Sequence, residues 1–161
     1  RAVVDAGRAG EIALYTGNDD NIVADLLTDF VLEGAAQPVR IVGGLLGQWA
    51  VWTKRAVEML EAIQQERQAG TLDYQRWLAY GAQLTDANAA IFDAAHTFAG
   101  CIPGIHTILQ RQGLMQTTHT LNPQEVLSPP QMGEIGRVCA AYPHLTDDQF
   151  VATHRQVWLD C

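Results

Sequence analysis

A strand-to-helix transition near the start of the chain constrains the fold more than any other sequence feature. Residues 11–16 form a short run rich in strand-forming side chains, and Gly17 ends it. A polar segment, residues 18–21, follows. The order of strand, glycine turn, acidic loop and helix predicts an α/β fold, whose ligands bind where the carboxyl end of a strand meets its helix. The helix is predicted from apolar residues that recur three and four positions apart, at Ile22, Val23, Leu26, Leu27, Phe30 and Val31.

The loop from Gly17 to Asp20 is the predicted ligand site. Asp19 and Asp20 lie at the start of the predicted helix, where their charge would repel a bare phosphate. Carboxylates only accept hydrogen bonds, so the pair suits a hydroxyl-rich ligand, a cationic ligand or a metal. Alternatively, one of the two carboxylates caps the helix while the other is solvated. The residues alone leave both interpretations open.

A second strand-and-helix unit follows the first. Residues 39–42 are predicted to form a strand that runs into a glycine-rich turn, residues 43–47, and then into a long helix over 48–68. Two strands joined by a helix form a βαβ unit, which is expected to be parallel and right-handed. Because two strands would leave both sheet edges open, we expect the end of a larger parallel sheet or barrel, with its other strands before Arg1.

The chain after Gly70 is predicted to be helical. Glycine and proline mark its interruptions, and two serine or threonine capping sequences mark helix starts. The predicted elements are a helix over 72–98, a break at 100–104, a helix over 105–112, and two helices that begin at 128–131 and 146–149.

Composition excludes several classes of function. The net charge of -8 argues against nucleic acid as a partner, because nucleic-acid binding needs a basic face. No apolar run approaches the roughly 20 residues that a membrane span needs. The cysteines, at 101, 139 and 161, and the five histidines lack metal-ligand spacing, and the odd cysteine count fits a reducing cytoplasm. The glycines of residues 43–47 match no nucleotide motif. We therefore predict no cofactor, no metal and no membrane partner.

Covalent chemistry has few candidate residues in this chain. The single lysine, Lys54, lies on the polar side of the predicted helix, whereas lysine-dependent catalysis needs a lysine buried at a strand end. The single serine, Ser128, lies at a predicted helix start and not in a nucleophile turn. Neither residue is therefore a good candidate for covalent catalysis.

Three segments, in this order, resemble a known family. Residues 14–20 (Leu-Tyr-Thr-Gly-Asn-Asp-Asp), 40–44 (Arg-Ile-Val-Gly-Gly) and 101–114 (Cys-Ile-Pro-Gly-Ile-His-Thr-Ile-Leu-Gln-Arg-Gln-Gly-Leu) resemble the C-terminal half of the dihydrodipicolinate synthase and N-acetylneuraminate lyase family of Schiff-base aldolases. The resemblance implies the last two βα units of a TIM (β/α)8 barrel at residues 1–69. It implies a helical C-terminal extension at 70–161 and assembly as a homotetramer.

The resemblance also implies roles for residues of the two turns. Gly17 corresponds to the glycine that ends the seventh strand, and Asp19 and Asp20 correspond to the acidic pair that holds substrate hydroxyls. Val42 and Gly43 correspond to the part of the eighth strand that lines the pyruvate pocket. The substrate-binding residues implied in this way are Gly17, Asn18, Asp19, Asp20, Val42, Gly43 and Gly44.

Some positions depart from the family pattern. Gly44 replaces a residue that often carries a contacting hydroxyl in the sugar-acid lyases. Cys101 and His106 depart from the Asn-Pro-Ile-Pro-Val-Lys motif of the synthases. Gly44 therefore lacks that contact, and the departures at Cys101 and His106 weaken the standard synthase assignment.

The implied activity is that of a carbon–carbon lyase acting on a 2-oxo acid and an aldehyde through a lysine imine. The lysine, on the sixth strand, and a proton-transferring tyrosine would both precede Arg1, so residues 1–161 alone are expected to be inactive. The alternatives are a sugar-acid lyase of the N-acetylneuraminate or keto-deoxy sugar acid type, and a non-catalytic barrel that binds sugar acids.

Overall fold

The computed structural model describes residues 1–160, which form a mixed α/β structure dominated by helices. The strands are β1 (Leu14–Thr16), β2 (Asp29–Phe30) and β3 (Val39–Gly44). The helices are α1 (Ala2–Asp5), α2 (Ile22–Leu27), α3 (Thr53–Ala69), α4 (Tyr74–Phe92), α5 (Cys101–Arg111), α6 (Gln131–Ala141) and α7 (Asp148–Leu159). Short 3₁₀ turns lie at Gly47–Ala50, Ala94–His96 and Pro143–Leu145.

The sheet confirms the predicted parallel pairing. Strands β1 and β3 run parallel, with Tyr15 opposite Gly43 and Thr16 opposite Gly44. Strand β2, which the sequence did not predict, pairs antiparallel with the start of β3, giving the order β1-β3-β2. In residues 1–160 this three-stranded sheet is open and does not form a barrel by itself.

Helix α2 is shorter than predicted because the chain after it joins the sheet. The helix ends at Leu27, and the backbone of Thr28 is extended. The next two residues, Asp29 and Phe30, pair with β3. The Arg40 guanidinium donates to both carboxylate oxygens of Asp29, at 2.6 and 3.1 Å. The apolar side chains of Phe30 and Val31 that predicted a longer helix therefore belong to β2 and its loop.

The predicted helix over 48–68 begins later than expected. A 3₁₀ turn occupies Gly47–Ala50, Trp52 adopts a left-handed conformation with φ of 58°, and α3 starts at Thr53. No neighbouring side chain caps this start. The Asp147 carboxylate, which precedes α7, accepts the backbone N–H of Lys54 at 3.3 Å instead. The start of α3 is thus completed by a residue far along the chain.

The long helix predicted over 72–98 ends at Phe92, and the predicted break at 100–104 is wrong. Asp93, Thr97 and Phe98 have positive φ values of 57°, 57° and 63°, so the chain turns sharply there. Helix α5 then begins at Cys101 and includes Pro103 in its first turn. Backbone N–H groups of a first turn have no acceptor within the helix, so the N–H that proline lacks is not needed there.

A buried polar cluster closes the junction of α4, α5 and α6. The Asp93 carboxylate accepts from the Ser128 hydroxyl at 2.5 Å, from His96 Nδ1 at 2.6 Å and from the Gly100 amide at 3.0 Å. Burial raises the pKa of Asp93, but the hydrogen bonds from Ser128, His96 and Gly100 outweigh burial, so the net shift is downward. Gln131 Nε2 donates to the carbonyl of Gly100 at 2.9 Å and to that of Ile91 at 3.1 Å.

These contacts replace the predicted capping of α6. The Ser128 hydroxyl is used by Asp93, whereas the Ser128 amide donates to Gln131 Oε1 at 3.2 Å, which is half of the predicted capping box. At the start of α7, Asp147 occupies the capping position but makes no side-chain bond to its own helix. Both helices thus begin near the predicted positions, but the side chains predicted to cap them or placed at their starts bond to other elements instead.

One hydrophobic core joins residues 1–69 to residues 70–160. Helix α4 lies at its centre and packs against α2, α5, α6 and the 3₁₀ turn after β3. The close approach of α4 and α5 depends on Gly104, because a Cβ there would overlap the carbonyl oxygen of Ile91. The largest apolar side chains of this core that are less than 2% exposed are Ile22, Ile63, Ile91, Ile108 and Ile135.

Candidate functional site

The two predicted turns lie side by side at one end of the sheet. Because β1 and β3 are parallel and Thr16 is opposite Gly44, Gly17 and Leu45 leave the sheet at the same edge. The Leu45 amide donates to the Thr16 carbonyl at 2.9 Å and ties the two turns together. In α/β proteins this carboxyl edge is where ligands bind. We therefore take the two turns as one candidate site.

Thr16 organises the acidic loop. Its hydroxyl donates to the Asp25 carboxylate at 2.5 Å and accepts the Asn18 amide at 3.1 Å. The Asn21 amide in turn donates to the Asn18 carbonyl at 3.1 Å. These bonds fix the backbone of the loop between β1 and α2. Sequence analysis missed both Thr16 and Asp25, because no local motif links a strand-end threonine to an aspartate inside the next helix.

The two acidic side chains of the loop are free to bind a ligand. Asp19 is half-buried and Asp20 is exposed. Within residues 1–160 neither carboxylate takes part in a hydrogen bond or an ion pair. The residue at the start of α2 is Asn21, whose side chain makes no capping bond. The capping interpretation of the pair is therefore not observed, and two unpaired acceptors remain at the edge of the sheet.

The acidic loop borders a groove between α2 and α4. The groove has a volume of about 340 Å³, and Asp20 and Asn21 line one end of it. From the other side, the Thr85 hydroxyl of α4 donates to the Asp20 carbonyl at 3.1 Å. Gly81 of α4 lies against Val23, so that a Cβ at Gly81 would be 3.1 Å from the Val23 Cβ.

Gly43 and Gly44, which were predicted to begin the second turn, are the last residues of β3 and lie close to neighbouring side chains. A Cβ at Gly43 would be 2.6 Å from Cε1 of Tyr15, and a Cβ at Gly44 would be 2.7 Å from Cδ1 of Ile22. Larger residues at these positions would displace those side chains, so packing already explains both glycines. Gly17 differs from them, since no atom lies within 4 Å of the position of its Cβ. Val42, the remaining predicted contact, is 45% exposed.

Tyr15 is a candidate site residue that sequence analysis overlooked. Its ring covers Gly43, its side chain is 66% exposed, and it directly precedes the buried Thr16. A phenol at this edge can donate or accept a hydrogen bond. Side chains alternate between the two faces of a strand, and this alternation along β1 could have identified Tyr15 from the sequence.

The remaining sequence candidates lie elsewhere in the fold. Cys101 starts α5 as a half-buried free thiol, and His106 Nδ1 lies 3.4 Å from the carbonyl of Thr118. Lys54 on α3 forms an ion pair with Glu58, and its ammonium lies 5.4 Å from the centroid of the Phe150 ring of α7. These contacts place the single lysine on a helix surface and not at a strand end.

Comparison with known proteins gives no assignment: no protein-family model, no curated protein and no solved structure matches this chain. Among residues 1–160, no group of three or more histidine, cysteine, aspartate or glutamate side chains is arranged to hold a metal ion. None of the helices in this part of the chain is both long and apolar enough to cross a membrane.

Proposed function

We propose that this chain is the C-terminal part of a carbon–carbon lyase, a 2-oxo acid aldolase or synthase that acts through a lysine imine. The observation that carries the proposal is the pair of unpaired carboxylates, Asp19 and Asp20, on a strand-end turn that adjoins a second strand-end turn. Such a pair suits the hydroxyl groups of an aldehyde or sugar-acid substrate. The sequence resemblance to the dihydrodipicolinate synthase and N-acetylneuraminate lyase family supplies the reaction type.

The proposal includes a TIM (β/α)8 barrel that residues 1–69 complete, with residues 70–161 as its helical extension. The open edges of the sheet support it. Strand β1 has a neighbour on one side only, and β2 covers only the first two residues of β3. Three apolar side chains on or next to β1 and β3 are exposed, namely Tyr15, Val42 and Leu45. A barrel would pair both edges with further strands.

In the proposed reaction, the lysine amine condenses with the 2-oxo acid carbonyl, and water leaves as the imine forms. Loss of a proton gives an enamine, whose carbon attacks the aldehyde, and hydrolysis then releases product and lysine. Asp19 and Asp20 would hold the hydroxyls of the aldehyde partner, while the end of β3 at Gly43 would border the 2-oxo acid. Both the lysine and the proton-transferring tyrosine would precede Arg1.

Borohydride trapping with pyruvate tests the proposal. Borohydride reduces an imine to a stable amine, so the modified lysine can be located by peptide mass. We expect no adduct on residues 1–161 and an adduct on a protein extended by its upstream coding sequence. Lys54→Arg in the extended protein is the matched control and should leave the adduct in place. An adduct at Lys54, or none on the extended protein, would refute the proposal.

The free acidic pair favours a hydroxylated substrate over aspartate semialdehyde, which makes the sugar-acid lyase the second candidate. Replacing both residues, Asp19→Asn with Asp20→Asn, should raise KM for a polyhydroxylated aldehyde by about tenfold or more, because charged hydrogen bonds are lost. KM for a simple aldehyde should stay the same. A non-catalytic sugar-acid-binding barrel would instead bind the sugar acid with no turnover and no trapped adduct.

The proposal also covers location and assembly. Cys101 and Cys139 are free thiols, which suits the reducing cytoplasm. The resemblance adds a homotetramer, with 2-oxo acid and aldehyde as the small-molecule partners. Analytical ultracentrifugation of the extended protein tests the assembly: a mass of four chains is expected, and a monomer would contradict it.

A further inference from the structure

We propose that Thr85, on α4, is a positioning residue for the acidic loop, an assignment that rests on the function proposed above. Its hydroxyl donates to the Asp20 carbonyl at 3.1 Å and so connects the helical extension to the candidate site. By this contact α4 would hold Asp19 and Asp20 in the orientation that the substrate hydroxyls require.

The Thr85 hydroxyl differs from other helical threonine hydroxyls in the acceptor that it bonds. Threonine hydroxyls inside helices commonly donate to the carbonyl four residues earlier in the same helix. Thr107 and Thr153 do so, at 2.7 and 2.9 Å. Thr85 instead donates to a loop 65 positions earlier in the sequence. Its hydroxyl therefore serves the contact between two elements and not its own helix.

The helix that follows the acidic loop, α2, is packed at both of its ends. At the start of α2, Gly81 lets α4 approach Val23 closely, in the same groove that Asp20 and Thr85 border. At the end of α2, Arg67 Nη2 donates to the carbonyls of Leu26 and Leu27, at 3.0 and 2.9 Å. The helix is thus held at both ends, by α4 at the loop and by α3 at its last turn. A loop fixed in this way presents its side chains in one arrangement, which binding a substrate requires.

Hydrogen exchange measures the positioning without any assay of activity. The reporters are the Asn18 and Asn21 amides, which bond within the loop. Thr85→Val keeps the shape and removes the donor, so exchange at both amides should become about two- to tenfold faster, the equivalent of one ordinary hydrogen bond. Thr85→Ser keeps the hydroxyl and should restore the wild-type rate. Thr153→Val, which removes a hydroxyl bond within α7, is the matched control and should leave both amides unchanged.

Kinetics of the extended protein completes the test. Thr85→Val should raise KM for the hydroxylated aldehyde about two- to tenfold with kcat unchanged, and Thr85→Ser should restore KM. Unchanged exchange at Asn18 and Asn21 overturns the inference, whatever the protein catalyses. Faster exchange with an unchanged KM in an active enzyme also overturns it. If exchange becomes faster but the wild-type protein traps no pyruvate, the proposed lyase function fails while the positioning of the loop by Thr85 stands.

Discussion

Residues 1–69 (the strand part) and residues 70–160 (the helical part) differ in how completely their buried polar side chains are hydrogen-bonded. In the helical part, the buried side chains of Asp93 and Gln131 are hydrogen-bonded to neighbouring elements. In the strand part, Gln48 Oε1 and Trp52 Nε1 are buried without a hydrogen-bond partner among residues 1–160. Buried polar side chains of the helical part are therefore paired with neighbouring elements, whereas two in the strand part have no hydrogen-bond partner among the described residues.

The sharpest test of the helical part is its tightest packing contact. Gly104→Ala should destabilise the protein by about 3 kcal/mol, because the added Cβ overlaps the Ile91 carbonyl and forces α4 and α5 apart. Gly133→Ala, in α6, has open space around its Cβ and should stabilise by about 0.5–1 kcal/mol. Chemical denaturation measures both changes. Equal effects would show that α4 and α5 are not closely packed.

The Asp93 cluster gives the next largest expected effect. Asp93→Asn should lower the free energy of unfolding at pH 7 by about 2 kcal/mol, because an amide cannot accept every donor that the carboxylate accepts. Because the pKa of Asp93 is lower in the folded protein than its ordinary value of 3.8, the wild-type protein should lose this stability as the pH falls below 3.8. Asp93→Asn has no carboxylate at this position and should not show this pH-dependent loss of stability. Denaturation between pH 2 and pH 7 checks both statements. Asp5→Asn, in an exposed ion pair with Arg1, is the control and should have almost no effect.

A smaller, pH-dependent effect is expected from His144. Burial lowers its pKa, with Arg55 adding to the shift, and its ring packs edge-on against Tyr80 at 5.5 Å between centroids. The folded protein therefore favours the neutral form of His144. The contribution of this neutral ring to the free energy of unfolding is complete above the ordinary pKa of 6.5 and is lost as the pH falls below that value. His144→Gln should flatten the decline in thermal midpoint between pH 7 and pH 5. An unchanged slope would assign the decline to other groups.

The smallest effect is expected in the strand part. Leu45→Gln should change the free energy of unfolding by less than about 0.5 kcal/mol, because the side chain is already exposed. Denaturant unfolding of dilute protein measures this change. A loss of more than about 1 kcal/mol that grows with protein concentration would mean that Leu45 is buried between copies of the chain and is not exposed in solution.

Local patterns in the sequence were sufficient for much of the fold. The apolar spacing of Ile22, Val23, Leu26 and Leu27 identified α2, and the strand-forming runs identified β1 and β3. These elements depend on residues close together in the chain. The parallel pairing of β1 and β3 also followed, since a helix connects them.

Elements that depend on distant contacts could not be predicted in this way. Helix α2 stops at Leu27 because Asp29 and Phe30 pair with β3, and α4 stops at Phe92 because Asp93 bonds Ser128, which lies 35 positions later. In the candidate site, the loop and its two acids were predictable from their order along the chain. The bonds that hold the loop, from Thr16 to Asp25 and from Thr85 to Asp20, join residues with no local signature.

The bond from the Lys54 amide to Asp147 links two points 93 residues apart, and the Gln112 side chain also donates to that carboxylate, at 2.9 Å. During synthesis, α3 emerges from the ribosome long before Asp147 does. Its first turn therefore stays incomplete until Asp147 has been made, and the final docking of α3 is a late event. A stalled ribosome that holds back residues after 146 would present α3 with a frayed start.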